Sequence, residues 1–185
     1  MVARRLVMMM MLAAAPLAQQ AAAQSGMSDW YTIPMAAAQN DTGLVQQMLG
    51  NPVNDPNEIE STGGRTALDY AASFNNPAMA SMLLSHNAHV DARDKSGNTA
   101  LVYAAELGNL DILRLLLDAK ADPNAANREG VTPLMLAADK SQPAAVRVLL
   151  ARGADPKKQD FTGRDAFGWA ADKPTVLQVL NAAKR

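Results

Sequence analysis

Two histidines and a neighbouring aspartate are the side chains whose spacing first suggests chemistry. His86, His89 and Asp91 form an H-x-x-H-x-D cluster. Imidazole nitrogens and a carboxylate are donors that zinc accepts, so this cluster is the candidate for a metal or small-molecule site. His86 falls at the end of an expected helix and His89 in a turn. No third strong ligand and no site geometry come with them, so the sequence favours two exposed loop histidines. The serines lack both a G-x-S-x-G elbow and a nearby histidine. Neither a P-loop nor a G-x-G-x-x-G loop is present. The methionines beyond residue 23 are scattered over core-like positions, which does not suit a copper site. Cysteine is absent, which excludes disulfides, thiolate metal sites and a cysteine nucleophile. The expectation is a chain with no catalytic residues, no metal and no cofactor.

Composition says what must position any functional group. Hydrophobic residues make up 49% of the chain but aromatics only 4%. The apolar share is mostly Ala, Leu, Val and Met, which favour helix. Seventeen basic residues balance 18 acidic ones, without the basic stripe that nucleic-acid binding requires. Residues 1–23 read as a secretory signal peptide. Arg4 and Arg5 supply the basic start, Leu6 to Ala15 the apolar run, and Ala21-Ala22-Ala23 an A-x-A cleavage site. The run is too short to span a membrane, which takes about 20 apolar residues. The flanks of Arg4-Arg5 do not complete a twin-arginine motif, and no Cys follows for lipid attachment. The leader looks bacterial and predicts a periplasmic protein, with secretion as the alternative and no stable membrane insertion after cleavage.

A step of 33 residues organises the rest of the chain, residues 24–185. Thr66-Ala67-Leu68-Asp69-Tyr70-Ala71-Ala72 returns as Thr99 to Ala105, as Thr132 to Ala138, and as Asp165 to Ala171. Gly64, Gly97, Gly130 and Gly163 keep the step, as do the pairs Leu83-Leu84, Leu116-Leu117 and Leu149-Leu150. A weaker first copy runs from Thr32 to Leu49 at a step of 34. The approximate units are 28–60, 61–93, 94–126, 127–159 and 160–185. The glycines suit a tight turn with positive φ. Each Thr, and Asp165 in the last copy, suits a helix N-cap. Pro133 suits a first helical position, and Pro77, Pro143 and Pro174 suit the start of a second helix. Leu110, Leu113 and Leu117, with Ile112 and Leu116, give that second helix one apolar face. Asn87, Lys120 and Gly153 are placed to close it.

This pattern, G-x-T-x-L-x-x-A-A followed by a Leu pair and Gly153-Ala154-Asp155, resembles the ankyrin repeat, whose period is 33. The resemblance covers about residues 30–182. It implies an all-α solenoid of about five copies, each a helix pair with a projecting β-turn finger, the terminal copies being degenerate caps. One departure matters. The family's signature His is replaced by Asp69, Val102, Met135 and Gly168, so its side-chain hydrogen bonds are expected to be missing and the array somewhat less stable. Trp30, Tyr31 and Trp169 are expected to cover the ends of the stack.

The resemblance also implies a protein-interaction module that meets its partner on finger tips and inner helices. Mapped onto this chain, the fingers offer Thr62, Gly63 and Arg65; Lys95, Ser96 and Asn98; Arg128, Glu129 and Val131; and Phe161, Thr162 and Arg164. The first-helix ends offer Ser73, Phe74, Glu106, Leu107, Asp139 and Lys140. Phe74, Leu107 and Phe161 are candidate anchors, because interfaces enrich large apolar groups. The expected protein is a monomeric adaptor with an unidentified protein partner. An immunity protein or an enzyme-protecting accessory is a special case of the same reading. Charge is polarised: from Gln24 to Asp91 there are seven acids and one base, from Lys140 to Arg185 nine bases and four acids. Both oriented docking and neutral drift on a solvated surface fit that pattern. If polarity steers docking, partner affinity drops between low and physiological salt; a flat titration against ionic strength removes the steering role.

Overall fold

The computed structural model describes residues 32–183, so the expected leader and the expected end-covering pair Trp30 and Tyr31 lie outside the described residues. Ten helices form five successive pairs: α1 (Ile33–Ala38) with α2 (Thr42–Leu49), α3 (Ala67–Ser73) with α4 (Pro77–Ser85), α5 (Ala100–Leu107) with α6 (Leu110–Asp118), α7 (Pro133–Asp139) with α8 (Pro143–Ala151), and α9 (Ala166–Trp169) with α10 (Pro174–Ala182). There is no strand among the described residues, only an isolated bridge between Ile59 and Thr66. First helices contact first helices in the order α1, α3, α5, α7, α9, and second helices form a parallel row behind them.

The sequence accounts for each boundary. Thr66 and Thr132 cap α3 and α7 by accepting the N–H of Asp69 and Met135. Asp165 does the same for α9 from Gly168 at 2.9 Å. Pro77, Pro143 and Pro174 open second helices, where a missing N–H costs nothing. Between the two helices of each of the first four pairs the chain turns through a left-handed residue, Asn40, Asn75, Gly108 or Ser141. The next residue then donates its N–H back into the first helix, as Asn109 does to Ala104 at 2.9 Å. Second helices close through Asn87, Lys120 and Gly153, all at positive φ.

Small residues fix the approach of neighbouring helices. Ala36-Ala37, Ala71-Ala72, Ala104-Ala105 and Ala137-Ala138 are fully buried, and Ala170 holds the same place in the last pair. Leu68, Leu101 and Leu134 from the first row interleave in the core with Met79, Leu83, Ile112, Leu116 and Leu149 from the second. Among the described residues no helix is long and apolar enough to cross a membrane.

Fingers link one pair to the next. Each is closed by a backbone bond across its base: Glu60 to Arg65, Asp94 to Asn98, Asn127 to Val131 and Asp160 to Arg164, at 2.9 to 3.0 Å. The first finger holds one residue more and the loop before it another, so the first pair stands at a step of 35 and not the expected 34: Ala36-Ala37 match Ala71-Ala72, and Asn40 matches Asn75. Successive fingers join through Lys95 N–H to Gly63 carbonyl, Arg128 to Ser96 and Phe161 to Glu129. Glycine is required at these turns: Gly97 has φ 81°, and a Cβ on it would lie 2.9 Å from the Arg128 nitrogen. Gly97→Ala therefore combines left-handed strain with a clash against backbone. It should cost roughly 2–3 kcal/mol, read as a lower urea midpoint; an unchanged midpoint removes this account of the finger ladder.

Candidate protein-binding surface

The concave side is bounded by fingers on one edge and the ends of first helices on the other. Polar side chains set its shape. Asp94, Asn127 and Asp160 each fold a carboxylate or amide oxygen over their own finger. Asp94 accepts the N–H groups of Ser96 and Asn98, both at 2.8 Å. Asn127 holds Glu129 and Val131, and Asp160 holds Thr162 and Arg164. The Thr162 hydroxyl and these donors keep Asp160 well below the usual carboxylate range. The longer first finger is held instead by Glu60, which accepts from Thr62 and Gly63. These closing residues were not singled out from sequence, although D-x-x-G, N-x-x-G and D-x-x-G at a step of 33 carried the signal.

Aromatic and guanidinium groups line the first-helix row. The Arg65 guanidinium lies between two rings, 4.3 Å from the centre of Tyr70 and 4.1 Å from that of Tyr103 in the next pair. It also donates to the Asp69 carbonyl and the Ser73 hydroxyl. Tyr103 donates its hydroxyl to Asp94 at 2.5 Å, and Trp169 donates its indole N–H to Asp160 at 2.9 Å. Burial pushes the Tyr103 hydroxyl up to about 12, and the bond to Asp94 adds to that. Trp169, half-buried in the last pair, is thus held in place by Asp160 and Arg164 of its own finger.

The predicted surface residues divide by what they touch. Lys95, Ser96, Asn98, Glu106, Arg128 and Glu129 come together around one groove of ≈ 480 Å³, with Val102 and Leu136 as its floor. Lys140 reaches Asp139 at 3.2 Å and Glu106 at 3.7 Å. Arg65 and Ser73 are occupied by each other, as is Arg164 by Trp169 and Asp160. Phe74, Leu107 and Phe161 are exposed, at 47%, 50% and 80%. Phe74 also stacks on Tyr70 with centroids 6.5 Å apart. Val131 is a correction: it is 3% exposed, because its side chain turns into the core just before the Thr132 cap. It cannot meet a partner.

The cap row holds two further corrections. Asp69, in the place of the missing His, supplies a hydrogen-bonded cap of its own: it accepts the Thr66 N–H at 2.7 Å and the Thr66 hydroxyl at 2.9 Å. That pair restores in α3 the bonds expected to be lost with the His. Thr99 does not cap α5; its hydroxyl is buried without a partner.

The histidine cluster does not converge. Asp91 spends both carboxylate oxygens on the Asp122 N–H of the next pair, at 3.1 and 3.2 Å. Asn57 and Asn124 make the same clasp to His89 and Asp155. His86 turns its ring to the Met82 carbonyl at 3.0 Å. Among the described residues no group of three or more His, Cys, Asp or Glu is arranged to hold a metal ion.

A family profile described as ankyrin repeats, in three copies, matches residues 33–127 and 93–160. The chain belongs to the ankyrin-repeat family. No curated protein matches it. Ankyrin repeats are in general protein–protein interaction modules and typically not enzymes. In this ankyrin array the helix pairs, the fingers and the groove between them repeat one template, and the departures from it are both buried, as at Asp69 and Met135, and exposed, as at Phe74 and Phe161.

One buried acid gives the array a pH signature. Burial raises Asp69 to about 6, against the bonds from Thr66 and the charge of Arg65. A carboxyl raised on folding stabilises the fold fully below its unfolded value and loses that contribution as pH climbs through about 6. The window is therefore pH 4 to 6, and the loss is up to about 3 kcal/mol. Asp69→Asn should be more stable than the parent at pH 7 and should flatten the change in urea midpoint between pH 5 and pH 7. Parallel pH dependence in the two proteins removes this assignment.

Proposed function

We propose that this protein is a periplasmic adaptor that clamps a protein partner between its fingers and the ends of its first helices. The observation that carries the reading is the pair Phe74 and Leu107. They occupy equivalent positions in adjacent repeats, at the C-terminal ends of α3 and α5, and each leaves about half its surface in water. Leu107 follows Glu106 on the groove wall. Two large apolar groups side by side, rimmed by Glu106, Lys140 and Asp139, have the composition of an interface centre with a polar edge. The rigid part of the device is the repeat stack. Its specificity would come from the charges of Arg128 and Glu129, which protrude from one finger.

The periplasmic assignment rests on the leader: Arg4-Arg5, the apolar run to Ala15, and Ala21-Ala22-Ala23. It is a separate claim from the clamp, and fractionation of cells producing the full chain tests it. Recovery of a shortened protein from the periplasm supports it; a full-length protein retained in the cytoplasm overturns it.

For the clamp, the test is affinity capture from periplasmic extract with the parent and a Phe74→Ala/Leu107→Ala double variant. Both side chains are half exposed, so the urea midpoint should move little. Capture of the partner should weaken by about tenfold or more, the effect of losing a hot-spot group worth ~1.4 kcal/mol or above. Equal capture by the two proteins removes these residues from the interface.

A further inference from the structure

The array contains its own pattern for what its fingers accept. Each finger presents two groups to the next, a carbonyl and a left-handed glycine, and the first finger adds a third, the arginine after its glycine. The carbonyls of Gly63, Ser96 and Glu129 accept the N–H of Lys95, Arg128 and Phe161. Those same three residues lie over Gly64, Gly97 and Gly130, so closely that an added Cβ would meet them at 3.0, 2.9 and 2.9 Å. At the first finger the third group, Arg65, is capped by a ring from its own repeat, Tyr70, and by a second from the next, Tyr103.

The finger at 160–164 repeats this arrangement without an occupant. Its carbonyl is that of Thr162, which accepts no bond among the described residues. Gly163 has φ 81° and nothing within 4 Å of the place a Cβ would take. Arg164 is stacked on its own repeat's ring, Trp169, at 4.3 Å, and 54% of its side chain is in water. The finger is nonetheless built as rigidly as the others, with Asp160 holding Thr162, Arg164 and Trp169.

We propose that this finger is a second docking site, which takes an extended protein segment bearing an aromatic side chain. The segment donates a backbone N–H to the Thr162 carbonyl and lays the same residue over Gly163. Its aromatic ring covers the open face of Arg164 and completes the ring–guanidinium–ring stack that Arg65 already shows. Main-chain pairing at an open edge supplies affinity, and the ring supplies selectivity. A second copy of this chain fits less well. Its first finger offers Thr62 in the donating position, and the Thr62 N–H is already held by Glu60 at 3.2 Å. The proposal keeps the partner-binding reading but places this contact away from the groove that carries Phe74 and Leu107.

A displayed library of random linear peptides, selected on the immobilised full chain, tests it. The selected peptides should share an aromatic residue. They should bind about tenfold or more weakly to Arg164→Ala and to Gly163→Asn. Asparagine tolerates the left-handed backbone, so the second variant fills the shelf without unfolding the finger, and an unchanged urea midpoint checks that. Binding should be indifferent to Phe74→Ala/Leu107→Ala. Peptides that lack an aromatic, that bind both finger variants as well as the parent, or that depend only on Phe74 and Leu107 overturn the finger site; the last result leaves the groove clamp standing. No selected binder, or self-association that Gly163→Asn abolishes in place of peptide binding, also overturns it.

Discussion

A helix pair of about 18 residues cannot cover its own apolar face, and in this protein only the neighbouring pair covers it. Everything else depends on that constraint. It is why the alanine pairs are buried in the first four copies: at Ala71-Ala72, Ala104-Ala105 and Ala137-Ala138 any larger side chain would hold two first helices apart. It is also why the large apolar residues sit between rows, with Leu101 and Ile112 or Leu134 and Leu149 filling the layer from opposite sides. Stability is therefore spread over the interfaces between pairs and belongs to no single repeat. A surface built on such a stack keeps its shape when side chains on it change, because the exposed positions contribute little to the interfaces that hold it.

Apolar contact sets the distance between pairs but not their register. Directional bonds do that, from three sets of short polar side chains. Asn57, Asp91 and Asn124 clasp the N–H of a residue in the next turn. Asn76 reaches Asn40 and Thr42 of the preceding pair, and Asn109 reaches the Ala72 carbonyl. Asp94, Asn127 and Asp160 stiffen each finger so that its carbonyl points at the next. Asp91 shows how this bears on function. In the sequence it completes a metal-like trio with two histidines; in the structure its carboxylate is committed to holding the stack in register. Asp and Asn suit these places because a short side chain with an acceptor can reach a backbone N–H that helix geometry leaves free.

The regular part of this fold was legible because its constraints act within one repeat. Gly97 must turn left, Thr132 must start a helix, and Leu116 and Leu117 must face the core, so each leaves a mark at a step of 33. What was not legible depends on two repeats at once. Nothing in the local pattern says that Arg65 lies between Tyr70 and Tyr103, residues 5 and 38 positions further on. Val131 reads as a finger residue by alignment with Arg65 and Asn98, yet an apolar side chain at that position turns inward where the polar ones stay out. Asp69 reads as the loss of a histidine's bonds, whereas its carboxylate is the right length to take both donors of Thr66.

The departures from the template fall in a pattern of their own. Along the row that ends the first helices, the sequence runs Phe74, Leu107, Lys140, so one side of the groove passes from apolar to cationic while the helices beneath it stay the same. Along the finger row, Lys95 and Arg128 give way to Phe161, the reverse order. Lys95 ties its ammonium to the Ser61 and Thr62 carbonyls of the previous finger, so its charge is partly spent on the stack. Lys140 is likewise answered by Asp139 and Glu106, whereas Arg128 and Glu129 carry charge with no such partner among the described residues. Under the proposed clamp, a partner lying along this surface would meet apolar contact at opposite ends of the two edges and free charge between them. Such an arrangement would select the direction in which a bound segment runs, which a uniformly apolar groove could not do.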